Sequence, residues 1–234
     1  MFHAGRLAFA AVAFAAFTLP ASAADAPAVK LKKGDKIVFL GDSITQGGEG
    51  KSGYITVFRK ALEDHHKDLG IEVVNAGISG NRVPDLQKRL QKDVLDKKPT
   101  IVVIYIGIND VWHGEKDPAR GTPKDKFESG LKDIIKQIQD SGAKVILCTP
   151  SVIGEKKPGT NDLDVKLDEY SDVSRSVAKE MKLPLCDLRK AFQDYEKANN
   201  KDDQEKGVLT TDRVHLNEAG NKLVAETIVR MFGD

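Results

Sequence analysis

Five apolar runs of strand length, alternating with stretches of helical periodicity, organise this chain. The runs lie at 36–40, 71–75, 101–106, 144–149 and, shorter, 184–187. They are rich in valine and isoleucine and are apolar without alternation, the pattern of strands buried on both faces of a parallel sheet. Between them, apolar residues recur every three or four positions. Ile55, Phe58, Leu62 and His65 or His66 share one stripe, Val83, Leu86, Leu90 and Val94 a second, and Phe127, Leu131, Ile134, Ile135 and Ile138 a third. A longer helix is predicted from Leu163 to Met181 through Leu167, Tyr170, Val173 and Val177. Residues 187–198 carry Leu188, Ala191, Phe192 and Tyr195. The last helix follows Asn217, a suitable N-cap, with Ala219, Leu223, Val224, Ile228 and Met231 on one face. Strand–helix alternation with short links predicts a three-layer α/β/α sandwich with right-handed crossovers. In such a sheet, functional residues gather beyond the carboxyl ends of the strands.

The first 23 residues do not fit this pattern. Arg6 precedes an apolar stretch from Leu7 to Leu19, and Ala21-Ser22-Ala23 offers a small-residue cleavage site. This reads as a secretory signal peptide, too short for a comfortable membrane span. The expected mature chain is periplasmic or extracellular, without stable membrane insertion. Residues 24–35 form a lead-in, and 36–234 a single domain with no Pro/Gly/Ser-rich linker inside it. A chain of 234 residues, 40% hydrophobic, is long enough for one sizeable core. Its formal charge of +1 falls to 0 without Arg6, which argues against a nucleic-acid platform. Cys148 and Cys186 both sit in strand-like runs and read as reduced core thiols, although export would permit a disulfide.

Polar and glycine residues follow the runs at four places. The first run ends in Gly41-Asp42-Ser43-Ile44-Thr45, the second in Asn75-Ala76-Gly77-Ile78-Ser79-Gly80-Asn81-Arg82, and the third in Gly107-Ile108-Asn109-Asp110. Asp212-Arg213-Val214-His215 precedes the last helix. A serine hydroxyl becomes a nucleophile once a base takes its proton. Ser43 is the candidate nucleophile and His215 the candidate base, since imidazole titrates near neutrality. Asp212 is placed to orient the imidazole. The backbone N–H of Ser43, an N–H of the glycine loop and the amide of Asn109 could stabilise an oxyanion. Each string alone has a plainer reading as a turn or cap; together they would converge on one sheet edge. Asp42, Asn81, Asp110, Trp112 and Arg213 are further candidates to line a substrate site. Trp112, the only tryptophan, either walls that site or packs. His113 reads as a solvated loop residue, and His65 and His66 as surface residues.

These four blocks in this order resemble the GDSL esterases, or SGNH hydrolase superfamily, over essentially the whole chain from Lys36 to Phe232. The resemblance implies Ser43 as nucleophile, His215 as base and Asp212 as its orienting acid, with Ser43, Gly80 and Asn109 as oxyanion donors. Gly80, rather than Gly77, matches the second glycine of block two. It also implies a flavodoxin-like five-stranded parallel sheet of order 2-1-3-4-5, with no metal and no organic cofactor. Arg213 departs from the family, many of whose members carry glycine there. An arginine at that point would reshape the entrance, pair with a substrate group or point outward.

The expected activity is that of a secreted serine esterase working through an acyl-enzyme, on a small-molecule or polysaccharide ester. Small acyl groups on carbohydrate, often acetyl in this family, are the first expectation. The long loops are only 112–126 and 151–162, little chain for a deep acyl tunnel. Lysophospholipase, thioesterase and aryl-esterase activities are alternatives within the class. A non-catalytic carbohydrate-binding protein on the same fold is the alternative outside it. An aspartyl-phosphate mechanism from Asp42 lacks its second acid, since Ile44 fills that position.

Overall fold

The computed structural model describes residues 29–233; the signal sequence read at 1–23 lies outside them. Five parallel strands, β1 (Lys36–Gly41), β2 (Glu72–Gly77), β3 (Ile101–Tyr105), β4 (Lys144–Cys148) and β5 (Leu185–Cys186), form one sheet of order β2-β1-β3-β4-β5. Ile37 to Leu40 of β1 and Ile101 to Ile104 of β3 are buried at every position, which explains their unbroken hydrophobicity. Burying each such side chain stabilises the fold by about 1.5–3 kcal/mol. Truncating one, as in Leu40→Ala, would cost about 2–5 kcal/mol.

The helices are α1 (Ser43–Gly47), α2 (Tyr54–His66), α3 (Val83–Asp93), α4 (Ile108–Trp112), α5 (Lys124–Asp140), α6 (Asp164–Glu180), α7 (Leu188–Asn199) and α8 (Glu218–Val229). Helix α8 packs on α2 and α7, while α5 packs on α3 and α6, so the two sets cover the sheet as outer layers. The predicted stripes are the buried faces: Ile55, Phe58 and Leu62 of α2, and Phe127, Leu131, Ile134, Ile135 and Ile138 of α5. Phe39 of β1 meets Phe58 and Tyr54 edge-on at 5.2 and 5.7 Å between ring centroids, locking α2 to the sheet. Asn217 caps α8 as expected, its Oδ1 accepting from the Gly220 N–H at 3.0 Å.

Some boundaries differ from the sequence reading. Strand β2 runs on to Gly77 rather than ending at Asn75, because Asn75 stays in register opposite Phe39. Its side chain serves the turn from within the strand: Nδ2 donates to the Thr45 carbonyl at 2.8 Å and Oδ1 accepts from Gly77 N–H at 2.7 Å. Strand β5 is cut to two residues, since Pro184 has no N–H and Asp187 already caps α7. The short helices α1 and α4 leave no periodic signature in the sequence; five residues are too few for a stripe. Residues 29–35, read as a mere lead-in, contribute Val29 and Leu31 to the core, with the Val29 N–H bonded to the Met231 carbonyl. Cys148 and Cys186 are buried, free thiols facing each other across β4 and β5.

The ends of β1 and β2 leave room for a helix to pass over them. A Cβ at Gly41 would collide with Thr45 Oγ1, and one at Gly77 with the backbone nitrogen of Gln46. Only glycine lets α1 cross this close over both strand ends. The first residue of that helix is Ser43.

Candidate active site

Helix α1 starts at Ser43 because Asp42 caps it: Asp42 Oδ1 accepts from the Ile44 N–H at 3.0 Å. Ser43, half-buried just past the carboxyl end of β1, presents its Oγ 2.9 Å from His215 Nε2. His215 Nδ1 lies 2.7 Å from Asp212 Oδ2. The carboxylate can only accept at Nδ1, so Nδ1 carries the proton and Nε2 is free to accept from the serine hydroxyl.

The Asp212–His215 pair is built by a tight turn. Thr210 and Leu216 form an antiparallel bridge, and the Thr211 N–H donates to the His215 carbonyl at 2.8 Å. Asp212 Oδ1 accepts from the backbone N–H groups of Val214 and His215, at 3.1 and 2.8 Å. Partial burial would raise the Asp212 pKa, but hydrogen bonds from the His215 ring and these two N–H groups outweigh it and hold the carboxyl below its usual range. Arg213 sits inside the turn at φ 88°, a left-handed conformation that explains why glycine suits this position. Its side chain does not point free into solvent: Nε lies 3.0 Å from Glu205 Oε1.

The second loop is stitched to the first. The Ile78 N–H donates to the Gly41 carbonyl at 3.2 Å, and the Ser79 N–H to Gln46 Oε1 at 2.7 Å. Arg89 of α3 ties both strand ends to this loop, donating to the carbonyls of Gly41 and Ala76 at 2.8 Å each and to Asn81 Oδ1 at 2.6 Å. Gly80, at φ +77°, holds a backbone conformation that L side chains rarely adopt. Asn109, buried in α4, donates one amide N–H to the Asn81 carbonyl at 3.1 Å. That bond fixes the amide plane and leaves its second N–H unspent by this contact.

Three candidate lining residues are engaged elsewhere. Asp42 is buried beneath the serine as the cap of α1; burial pushes its carboxyl up to about 7, with nearby Asp110 adding to the effect. Asp110 is also buried, accepts from the Val83 N–H at 3.0 Å at the start of α3, and is raised by burial to about 6. The Asn81 side chain is taken by Arg89. Trp112 does border the site, half-buried with its ring edge-on to His215 at 6.5 Å between centroids. His113 is no solvated loop residue: it is half-buried, and its Cε1 lies 4.0 Å from where a Gly80 Cβ would stand. Burial lowers its pKa, as do the charges of Arg120 and Arg82, which favours the neutral ring. The spacing that could have drawn His113 to the site is its place four residues after Asn109, since residues i, i+3 and i+4 share one helical face and Trp112 already stands at i+3.

Fold and comparisons together define a carboxylic ester hydrolase. The chain belongs to the GDSL-like Lipase/Acylhydrolase family, whose model matches residues 39–223. It is 32% identical over 221 residues to an acetylxylan esterase of Geobacillus stearothermophilus, covering 88% of this chain and 97% of that one. The crystal structure of an acetyl xylan esterase superposes with a TM-score of 0.80 at 42% identity, covering 83% of this chain and 98% of the other. Structures of catalytic mutants of the Geobacillus enzyme superpose with TM-scores of 0.79. They are altered at a serine, an aspartate and a histidine, the last two three positions apart.

Proposed function

We propose that this protein removes acetyl groups from xylan or a closely related acetylated carbohydrate, with Ser43 as nucleophile. The observation that carries the reading is the continuous chain from Ser43 Oγ through the His215 ring to Asp212, with steps of 2.9 and 2.7 Å. The similarity to acetylxylan esterases supports the acetyl group and the carbohydrate, and the residue types and spacing in their catalytic mutants match Ser43, Asp212 and His215.

Ser43 Oγ attacks the acetyl carbonyl as His215 Nε2 takes the hydroxyl proton. Asp212 stabilises the imidazolium and keeps the productive tautomer. The backbone N–H groups of Ser43 and Gly80 and the free amide N–H of Asn109 receive the oxyanion. The intermediate collapses as His215 returns the proton to the departing sugar oxygen, leaving acetyl on Ser43. Water, deprotonated by His215, then attacks that ester; acetate leaves and the serine regains its proton. The export signal read in the first 23 residues would bring this chemistry to a polymer outside the cytoplasm.

A fluorophosphonate tests the centre. Labelling of Ser43, lost in His215→Ala, is expected; a folded protein that stays unlabelled overturns the serine mechanism. For the substrate, acetate release from acetylated xylan and faster cleavage of p-nitrophenyl acetate than of the palmitate ester are expected. A preference for palmitate would overturn the carbohydrate reading.

A further inference from the structure

Glu155 lies in the long loop after β4, more than fifty residues before Asp212, and is fully buried. No side-chain cation meets its carboxylate at hydrogen-bond distance among the described residues. Instead it accepts from three consecutive backbone N–H groups: Val208 to Oε2 at 2.7 Å, Leu209 to Oε1 at 2.8 Å, and Thr210 to Oε1. These three residues lead directly into the turn that carries Asp212 and His215. The backbone around Glu155 is joined to the same segment at two further points. The Gly154 N–H donates to the Arg213 carbonyl at 2.8 Å, and the Glu155 N–H to the Glu205 carbonyl at 2.9 Å.

We infer that Glu155 is a positioning residue for the reaction: it holds the 208–210 backbone so that the Asp212–His215 turn meets Ser43 in register. The inference rests on the assignment of Asp212 and His215 as the acid and base serving Ser43. Burying a carboxylate is costly unless it is well bonded, and three convergent N–H donors satisfy that need. A carboxylate in this place also orients all three amides at once, which an apolar side chain could not.

The loop bearing Glu155 is itself anchored. Buried Arg189 of α7 pairs with Asp164 at 2.7 Å and Asp168 at 2.6 Å and donates to the Ser151 carbonyl at 3.3 Å. Asn161 Oδ1 accepts from the Lys156 N–H at 3.3 Å, and its Nδ2 donates to Asp164 at 3.0 Å. Asn200, at the end of α7, donates to the Glu155 carbonyl and to the Gln204 carbonyl. A rigid path thus runs from α6 and α7 through Glu155 to the turn beside Ser43. Breaking it would displace His215 without removing any group that touches substrate, and displacements near 1 Å can cost about 10²-fold in rate.

The test compares wild type with Glu155→Gln and Glu155→Asp. Gln keeps one oxygen for two of the N–H groups and turns its amide against the third; Asp keeps the charge but shortens the reach. Both are assayed on p-nitrophenyl acetate well below their melting temperatures, together with the rate of fluorophosphonate labelling at Ser43. The expected result is a kcat and a labelling rate lowered roughly 10- to 100-fold with KM within about twofold. Hydrogen exchange at 208–210 should be faster in the variants. Folded variants that label and turn over at wild-type rates, whatever their melting temperature, overturn the role of Glu155. A wild-type protein that fails to label at all would instead overturn the assignment of Ser43 and His215.

Discussion

Asp212 holds His215 at two points: Oδ2 bonds the imidazole at 2.7 Å, while Oδ1 accepts the backbone N–H of the same histidine at 2.8 Å. The second bond matters for what an amide would do in this place. The N–H groups of Val214 and His215 demand an oxygen at the Oδ1 position, so Asp212→Asn must turn its NH2 toward the ring. Nδ1 would then have to accept, the ring proton would move to Nε2, and Ser43 would face a donor instead of a base. The expected loss in kcat is roughly 10³- to 10⁴-fold with little change in KM or fold. Steady-state kinetics on p-nitrophenyl acetate decide it; near-wild-type kcat would mean that Asp212 does not set the tautomer.

Asn109 leads to a second prediction. With one N–H held by the Asn81 carbonyl, its other N–H is the only side-chain donor assigned to the oxyanion. Asn109→Ala should lower kcat by about 10²- to 10³-fold, or about 2.7–4 kcal/mol of transition-state stabilisation, and leave KM nearly unchanged. The lost bond to Asn81 should cost only about 1 kcal/mol of stability. A variant losing stability but not kcat would remove Asn109 from the oxyanion site.

Much of this arrangement is legible in the sequence, for physical reasons that also explain the gaps. Ile101 to Ile104 read as a central strand because burial on both faces leaves no polar position to interrupt them. Asn217 marks α8 because an N-cap is a local interaction, complete within four residues. Ser43, Asn109 and His215 stand out because the ends of parallel strands bring separate loops to one rim. Glu155 is different. Its partners lie 53 to 55 residues away and are backbone groups, which carry no residue identity to be noticed. Arg213 is similar, since its ion pair with Glu205 depends on a loop path that no periodicity encodes. Asp42 and Asp110 read as lining residues from their place beside the nucleophile and the oxyanion donor, yet each serves a helix terminus beneath the site.

Glu196 supplies a prediction about pH. Its carboxyl is buried, and Oε1 has no hydrogen-bond partner among the described residues. Burial raises its pKa to about 8; Arg189 opposes this, while Glu155 and Asp164 add to it. The native state therefore binds a proton that the unfolded chain, near 4.5, has released. Stability from this group is fully present below about 4.5 and is lost as pH rises through about 8. The melting temperature of wild type should fall between pH 6 and 9, and Glu196→Gln, which cannot ionise, should fall less. Parallel melting curves across that window would show that Glu196 is not held neutral. Comparing the two proteins cancels Asp42 and Asp110, which titrate nearby at about 7 and about 6.

Trp112 allows a test that distinguishes sugar binding from ester cleavage. It shares a face of α4 with Asn109, and its ring stands edge-on to His215 at 6.5 Å, beside the base that would return the proton to a departing alcohol. An indole there offers an apolar face to a pyranose ring, and stacking against it is worth about 1 kcal/mol. A small nitrophenyl ester needs little of that surface, because its reaction is governed by Ser43 and the oxyanion donors. Trp112→Ala should therefore raise KM for acetylated xylo-oligosaccharides roughly fivefold while kcat on p-nitrophenyl acetate stays within about twofold of wild type. Trp112→Phe, which keeps an aromatic face and part of the packing, should fall between the two. Equal losses on both substrates would point instead to a displaced His215, and no loss on either would remove Trp112 from the substrate path.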